Sequence, residues 1–450
     1  MSRYVTYKPS GIDWIGEVPI DWKVKRVKDF FSILGGNGFP DDEQGNETGD
    51  IPFLKVSDIN SDDYRVYSSS NYVSNETVLK KGWNVIPANS IVMGKIGEAL
   101  KKNHRKINTV DCLIDNNMMA LQPLPKVNIK FSYYLLSIVD MDWFTNPGTI
   151  PAVSTVALKS SKVTLPSPSE QLTIANYLDD QTQKIDRLIA NKKSQAEKLK
   201  ELRQIEINNA VTKGLNPNAE MKDSGIEWLW RIPKHWTTKR MKDVASVRGR
   251  IGFRGYTVDD IVDEGALVIG AKHINSSNQL NFDDPEYISW EKYYESPEIM
   301  VEFGDVLIVQ RGSVGKFALV EKEIGPATIN PSMILLRLNT RIHPQFLFWY
   351  LLGEHMFNII KTIVSSTAVP MISQMQAGVF RIILPPKEEQ IEIANYLQQR
   401  TIAIDQLIKN IEAQIEKLQE LRKIKIYEAV TGKIKINASE FSPATQCRLS

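Results

Sequence analysis

The side chains with chemistry to offer are basic residues set among glycines. The second half of the chain carries Arg248-Gly249-Arg250-Ile251-Gly252-Phe253-Arg254-Gly255, with Arg311 and Lys316 further on. The first half carries Lys101-Lys102-Asn103-His104-Arg105-Lys106, with Lys95 just before it. Glycine allows a protruding backbone, and a guanidinium presents a fork of donors that matches phosphate oxygens or a guanine edge. The arginine–glycine stretch therefore reads as a nucleic-acid contact. The lysine-rich stretch reads first as a solvated charge run and second as such a contact. In a similar place in the first half, Gly35-Gly36-Asn37-Gly38 precedes Asp41, Asp42 and Glu43. Those carboxylates suit capping and orienting neighbours, or accepting from a cytosine amino group.

Enzyme readings do not survive inspection. Gly312-Ser313-Val314-Gly315-Lys316 lacks the spacing of a phosphate loop, and Phe317 stands where a metal-binding hydroxyl belongs. Asn330-Pro331-Ser332 lacks the second proline and the aromatic residue of an amino-methyltransferase motif, and the first half has Asp115-Asn116-Asn117 there. The histidines at 104, 235, 273, 343 and 355 form no pair with metal-ligand spacing. Cys112 and Cys447 supply neither a disulfide framework nor a zinc set. The expectation is no catalytic, cofactor-binding or metal site on this chain.

A length of 450 residues suggests several domains, and 42% apolar content suits a soluble protein. The absence of an 18-residue apolar run and of a leader-like start sets a cytoplasmic expectation, with no membrane partner. A net charge of +2 excludes a generally basic DNA wrapper, so any nucleic-acid surface is local or shared with a partner.

What must position these loops is written twice. Leu165–Thr212 and Leu384–Thr431 align without a gap at an offset of 219 residues, with 27 of 48 positions identical. Ile185, Ile189, Ala196, Leu199, Leu202 and Ile205 fall at helical spacing. Ile404, Ile408, Ile411, Ile415, Leu418, Leu421 and Ile424 answer them. Such narrow stripes predict the seam of a coiled-coil-like pair in which the two copies pack on each other, the alternative being that each pairs with another protein. Ser167, Pro168 and Glu170 form a start signal of the capping-box kind, and Gly214 and Gly432 mark the ends. The stretch 182–212 would measure about 46 Å, roughly the span of 13 base pairs.

A second repeat opens each half. Residues 8–30 recur at 222–244 with 11 of 23 positions matched, among them Trp14/Trp228, Pro19/Pro233, Trp22/Trp236 and the Lys-Arg pairs at 25–26 and 239–240. The tryptophans read as core at the start of a domain, with a subunit contact as the alternative. Between opening motif and helix lie divergent blocks of short alternating strands such as Asp305–Gln310 and Ser332–Leu338. Landmarks correspond between them. Gly94–Gly97 answers Gly312–Gly315, Tyr134–Leu136 answers Tyr350–Leu352, and Pro151–Ser154 answers Pro370–Ser373. The chain therefore reads as α/β (α+β), with two β-rich mixed domains joined by a pair of long coiled-coil-like helices; if these pack antiparallel, the duplication is pseudo-twofold. The expected divisions are 1–164 for the first domain and 165–214 for the first helical region. A linker and the second domain follow over 215–383, then the second helical region over 384–433 and a polar tail over 434–450.

The repeated Glu-Gln-x-x-Ile-Ala-Asn-Tyr-Leu segment (Glu170–Leu178 and Glu389–Leu397), the following Ile-Asp-x-Leu-Ile and the final Glu-Leu-Arg-x-Ile resemble the conserved helical regions of the specificity subunits of Type I restriction-modification systems. Ser10–Trp22 and Ser224–Trp236 resemble the start of that family's target recognition domains. The resemblance covers residues 8–433 and implies a noncatalytic subunit with two recognition domains, each reading half of a split, asymmetric double-stranded DNA site. It implies antiparallel helices that act as a ruler. Its implied partners are two adenine-methyltransferase subunits and, in the full complex, two ATP-dependent restriction subunits. S-adenosylmethionine, ATP and Mg²⁺ would then sit on the partners. It also gives Ile174, Tyr177, Leu178, Ile393, Tyr396 and Leu397 a docking role, against which stands burial beneath the chain's own domains. Lys192 and Lys193, opposite Ile411 and Glu412 in the alignment, suit either register fixing or a phosphate contact. Two readings of other classes are a coiled-coil adaptor that binds only protein and a self-contained DNA methyltransferase.

Overall fold

The computed structural model describes residues 2–60, 63–146, 150–226, 229–250, 255–365 and 370–437. Two compact units emerge. One comprises Met1–Lys192 with Ala413–Ser450, the other Lys193–Glu412. Each of two long helices, Pro168–Lys213 and Lys387–Val430, contributes a part to both units. Lys192 and Lys193 lie at the passage from one unit to the other, Lys192 half-buried and Lys193 exposed.

The first unit holds a five-stranded sheet in the order Phe31–Gly35, Met118–Pro123, Ile91–Gly94, Arg105–Asn108, Arg65–Val66. A three-stranded sheet, Leu113–Ile114, Ile51–Leu54, Tyr72–Val73, lies in the same unit. The second unit holds Ala245–Arg248, Met333–Leu338, Val306–Val309, Phe317–Leu319 in one sheet. Its other sheet is Ile261–Val262, Tyr287–Ile288, Ala266–Ile269, Ala327–Ile329. Each unit has one parallel pairing in its second sheet, Leu113–Ile114 with Ile51–Leu54 and Ala327–Ile329 with Ala266–Ile269. In each unit a two-stranded ribbon ties the opening motif to the strand before the long helix. Lys23–Arg26 pairs with Lys162–Leu165, and Thr237–Arg240 pairs with Arg381–Leu384.

Within each unit the two helices run antiparallel, and one ion pair sets the register in both. Arg422 Nε lies 2.9 Å from Asp186 Oδ1 in the first unit, and Arg203 Nε lies 2.9 Å from Asp405 Oδ1 in the second. The 219-residue offset carries Asp186 onto Asp405 and Arg203 onto Arg422, so this is one contact formed twice. All four side chains are a quarter or more exposed, so each pair contributes at most about 1 kcal/mol and acts mainly on alignment. Burial does the rest. Ile185, Ala196, Ile404, Ile408 and Ile411 are buried, while Ile189, Leu199, Leu202, Ile415 and Leu418 are half-buried.

The seam read from heptad spacing is wrong at its far ends. Leu421 is 40% exposed, and Ile205 and Ile424 are also exposed. Ile207, Ala210 and Val211, and likewise Ile426, Ala429 and Val430, are buried there instead. At 3.6 residues per turn a straight helix drifts by about 20° per heptad, so a phase assigned early in the helix no longer faces inward at its end.

The helix starts also differ from the expected capping box. Ser167 Oγ accepts from the Glu170 backbone N–H at 3.3 Å, but the Glu170 carboxylate accepts from the Tyr4 hydroxyl at 2.5 Å. In the second unit Glu389 accepts from Trp236 Nε1 at 2.9 Å and sits 2.8 Å from His235 Nε2. In both units the opening segment supplies a donor to the carboxylate of the first helical turn.

Trp22 and Trp236 are core residues, with 1% and 0% exposure, and each lies against the glycine that ends a long helix. Gly214 and Gly432 have φ of +74° and +71°. A Cβ on Gly432 would meet Pro19 Cδ at 2.4 Å and Trp22 at 3.3 Å. Trp228 lies outside the described residues. Gly16, with φ of +70° and nothing within 4 Å of an added Cβ, separates conformational strain from steric clash. Gly432→Ala is expected to lower the calorimetric midpoint clearly more than Gly16→Ala, which carries only the left-handed strain of about 1 kcal/mol or somewhat more. Equal losses would mean that the approach to Pro19 does not limit stability.

Candidate nucleic-acid interface

Sheet topology gathers the loops that the sequence leaves scattered. Phe31–Gly35 and Ile91–Gly94 are both antiparallel to Met118–Pro123, hence parallel to each other, and their C-terminal ends share one edge of the sheet. Gly35–Gly38 and Gly94–Gly97 therefore leave the sheet together. Arg105–Asn108 starts at that same edge, with Arg105 opposite Met93, which brings the basic stretch 101–106 there. The second unit repeats the construction. Ala245–Arg248 and Val306–Val309 are both antiparallel to Met333–Leu338, so Arg248–Arg250 and Gln310–Gly315 emerge side by side. Phe317 opposite Ile308 brings Lys316 to that edge.

The sequence marks Pro151–Ser154 and Pro370–Ser373 only as landmarks. In the structure they are bound to these loops. Val153 N donates to Lys95 O at 2.9 Å and Gly97 N donates to Pro151 O at 2.9 Å, while Ile372 N donates to Gln310 O at 3.0 Å. Matching Pro-x-hydrophobic-Ser at a constant offset was the available signal.

The fold takes three of the candidate cations for itself. Arg105 is 6% exposed and donates to Asn103 O at 3.0 Å, to Asn103 Oδ1 at 2.8 Å and to the Val139 carbonyl. Burial pushes its guanidinium pKa down to about 10, still protonated at neutral pH. Lys106 is 5% exposed and donates to the Asp63 carbonyl. Arg250, also 6% exposed, donates to Ile329 O at 3.2 Å and Thr328 Oγ1 at 3.1 Å and lies over the Tyr256 ring. These three are corrections to the sequence reading. Loop carbonyls at Asn103, Val139 and Asp63, the Ile329 carbonyl of an edge strand and an aromatic face satisfied the cations before any ligand could.

Other candidates stay accessible. Lys102 and Arg248 are exposed. Lys101 is exposed and paired with Glu98 at 2.8 Å. Arg311 is exposed, with its Nε 3.1 Å from Met371 Sδ. Lys95 is half-buried, as is Lys316, which donates to Ile274 O at 3.2 Å. Arg254 lies outside the described residues. Asp41 accepts from Gln44 Nε2 at 3.1 Å, an orienting role.

The rejected motifs have plain structural roles. Asn330 Oδ1 accepts from Ser332 N at 2.9 Å, and Asp115 Oδ1 accepts from Asn117 N at 2.7 Å. Both are side-chain turns that launch an interior strand of their sheets. Gly312–Lys316 leads into a strand rather than a helix, so no helix N-terminus stands behind it to receive a phosphate. Among the described residues no three His, Cys, Asp or Glu side chains are grouped as a metal-ligand set. Nor is any described helix long and apolar enough to cross a membrane.

Five of the six residues given a docking role are also corrected. Ile174, Tyr177 and Leu178 are fully buried in the core of the first unit, and Ile393 and Leu397 in that of the second. Tyr396 is 38% exposed and donates to Glu206 at 2.7 Å.

A family model described as the Type I restriction modification DNA specificity domain matches residues 19–198 and 233–417. The chain belongs to this family. Among its relatives is the Type I restriction enzyme MjaVIII specificity subunit of Methanocaldococcus jannaschii, 22% identical over 94% of this chain and 95% of the relative. The EcoBI specificity subunit of Escherichia coli is 22% identical over 90% of this chain and 84% of the relative. The fold resembles the HsdS subunit from Thermoanaerobacter tengcongensis, with TM-score 0.53 and 17% identity over 93% of this chain and 98% of that one. It also resembles a chain solved in work on complex assembly and conformational transition of the type I R-M system. That match has TM-score 0.70 and 15% identity over 93% of this chain and 99% of the other. As a Type I specificity subunit, the chain is the noncatalytic, sequence-recognising component of its enzyme.

For this specificity subunit, Arg105→Ala and Arg250→Ala should each lower the midpoint of thermal unfolding, through a stability loss on the order of 2 kcal/mol for lost charge-assisted hydrogen bonds. Arg248→Ala and Arg311→Ala should leave it in place. Calorimetry of the four variants checks this, and an unshifted Arg250→Ala would return that residue to the ligand-facing set.

Proposed function

We propose that each unit reads one half of a bipartite duplex DNA site through the loops at its sheet edge. The chain then holds one adenine-methyltransferase subunit over each half. The observation that carries this is the duplicated edge, where Lys101 and Lys102 in one unit, and Arg248 and Arg311 in the other, are exposed on or next to glycine-bearing loops, with Lys95 half-buried beside the first pair. Exposed cations on loops at a rigid sheet edge suit phosphate positioning and base-edge readout. The target adenines would be flipped into the partners, which would carry S-adenosylmethionine. Restriction subunits would bring ATP and Mg²⁺, in the cytoplasm.

A second duplicated surface supports two equal partners. In the first unit Leu188, Leu421 and Ile424 are 40–49% exposed. The 219-residue offset carries these positions onto Leu407, Leu202 and Ile205 in the second, of which Leu407 and Ile205 are more than half exposed and Leu202 is half-buried. On a 3.6-residue helix these positions lie to one side of the buried seam, and an apolar strip that recurs once per unit fits one copy of the same partner each time.

Methylation mapping by single-molecule sequencing, in cells carrying this gene and its methyltransferase gene, should return a half-site, a fixed gap and a half-site. That motif should vanish on deletion of this gene; a motif indifferent to deletion overturns the reading. Leu188→Glu with Leu421→Glu should reduce the methyltransferase complement from two copies to one by native mass spectrometry. Retention of two copies would remove the strip from the interface.

A further inference from the structure

Next to the loops at each sheet edge stands a short helix that the sequence reading does not single out. Thr155–Ser160 follows Ser154, whose Oγ accepts from Ala157 N at 3.3 Å, and Gln374–Val379 follows Ser373, whose Oγ accepts from Gln376 N at 3.1 Å. Each helix is anchored on its inner side, by Leu158 at 1% exposure and Ala377 at 0%. Each is tied by its preceding Pro-x-hydrophobic-Ser segment to the loop that leaves the sheet. What such a turn presents outward is held in place.

It presents an apolar side chain. Val156 is 73% exposed and Met375 is 80% exposed, and the 219-residue offset carries one onto the other. A single exposed hydrophobe is ordinary. The same position exposed in both halves of otherwise divergent domains, beside the same loop, is not explained by packing.

The preceding residue adds a polar reader. Gln374 is exposed, and its carboxamide lies on the backbone of Gly249, between Arg248 and Arg250. A Cβ on Gly249 would stand 2.5 Å from Gln374 Nε2 and 3.1 Å from its Cδ, so this approach exists only because residue 249 is glycine. Met371, three residues earlier, touches Arg311. One edge of the second unit thus gathers a carboxamide, a thioether and two exposed guanidinium groups.

We propose that Gln374 and Met375 are specificity-determining residues that read an A·T base pair in the major groove. The carboxamide would bond to the adenine N6 and N7, and the Met375 methyl group would contact the thymine methyl. Glutamine matches the adjacent acceptor and donor of adenine, and thymine is the base that offers an apolar group in that groove. Arg248 and Arg311 supply the flanking cationic contacts. Thr155 and Val156 occupy the same place in the first unit, where a hydroxyl replaces the carboxamide. This inference rests on the duplex reading proposed above.

The test selects bound duplexes from a random pool, using the complex of this chain with its methyltransferase subunits. Wild type should give a two-part motif. Gln374→Ala should lose discrimination by roughly 5- to 150-fold at one A·T position of one half, and Met375→Ala should reduce it at that same position, both leaving the other half and the gap unchanged. Gln374→Arg should move that position towards guanine. Both side chains are exposed, so thermal midpoints should match wild type. A wild-type motif retained intact in both alanine variants overturns the assignment, as does an equal loss of affinity across all sequences. A wild type that selects no two-part motif overturns the duplex reading itself, and this assignment with it.

Discussion

The structure depends on each long helix lying antiparallel on its own copy. The core of the first unit includes Ile426, Ala429 and Val430 from the second helix, and the core of the second includes Ile207, Ala210 and Val211 from the first. Neither half of the chain closes its core with its own residues. An intramolecular duplication meets this need without a dimerisation cost, since the second copy arrives on the same chain. The repeated Asp–Arg pair is weak as a source of stability, yet it is well placed to align two aliphatic strips that could otherwise slip by a turn.

The same closure consumes groups that look functional in one dimension. Tyr177, with 0% exposure, is a core residue, whereas its counterpart Tyr396 reaches Glu206, which also pairs with Arg400 at 3.1 Å. In the first unit the positions of Glu206 and Arg400 are Lys425 and Gln181, so the carboxylate and guanidinium of that contact are not repeated there. The duplication has kept the register pair and the cores while the edges of the helix pair diverged. Divergence is tolerated where side chains are partly solvated, because a change there costs little.

Recognition and stability compete for the same cations at the sheet edges. Backbone carbonyls are strong acceptors that must be satisfied once buried. An arginine that reaches buried carbonyls, as Arg105 reaches those of Asn103 and Val139 and Arg250 that of Ile329, meets that demand and is lost to a ligand. Arg248 and Arg311, whose side chains are exposed, meet no such demand. A specificity subunit with changeable recognition can therefore vary exposed loop residues while the buried cations hold the loops' base.

The sequence by itself determined the duplication, the two long helices, their glycine ends, the tryptophans of the opening motif and the family. All of these depend on local periodicity or on repeated residues, which one dimension records in full. Only the tertiary structure decided which cations are free, that Ile174, Tyr177, Leu178, Ile393 and Leu397 belong to cores, and where the helix seam leaves the heptad phase. It also decided that Gln374 lies on Gly249, 125 residues away in the chain. Accessibility and long-range neighbours are set by strand order and by the drift of a 3.6-residue helix against a 7-residue pattern, and composition and spacing encode neither.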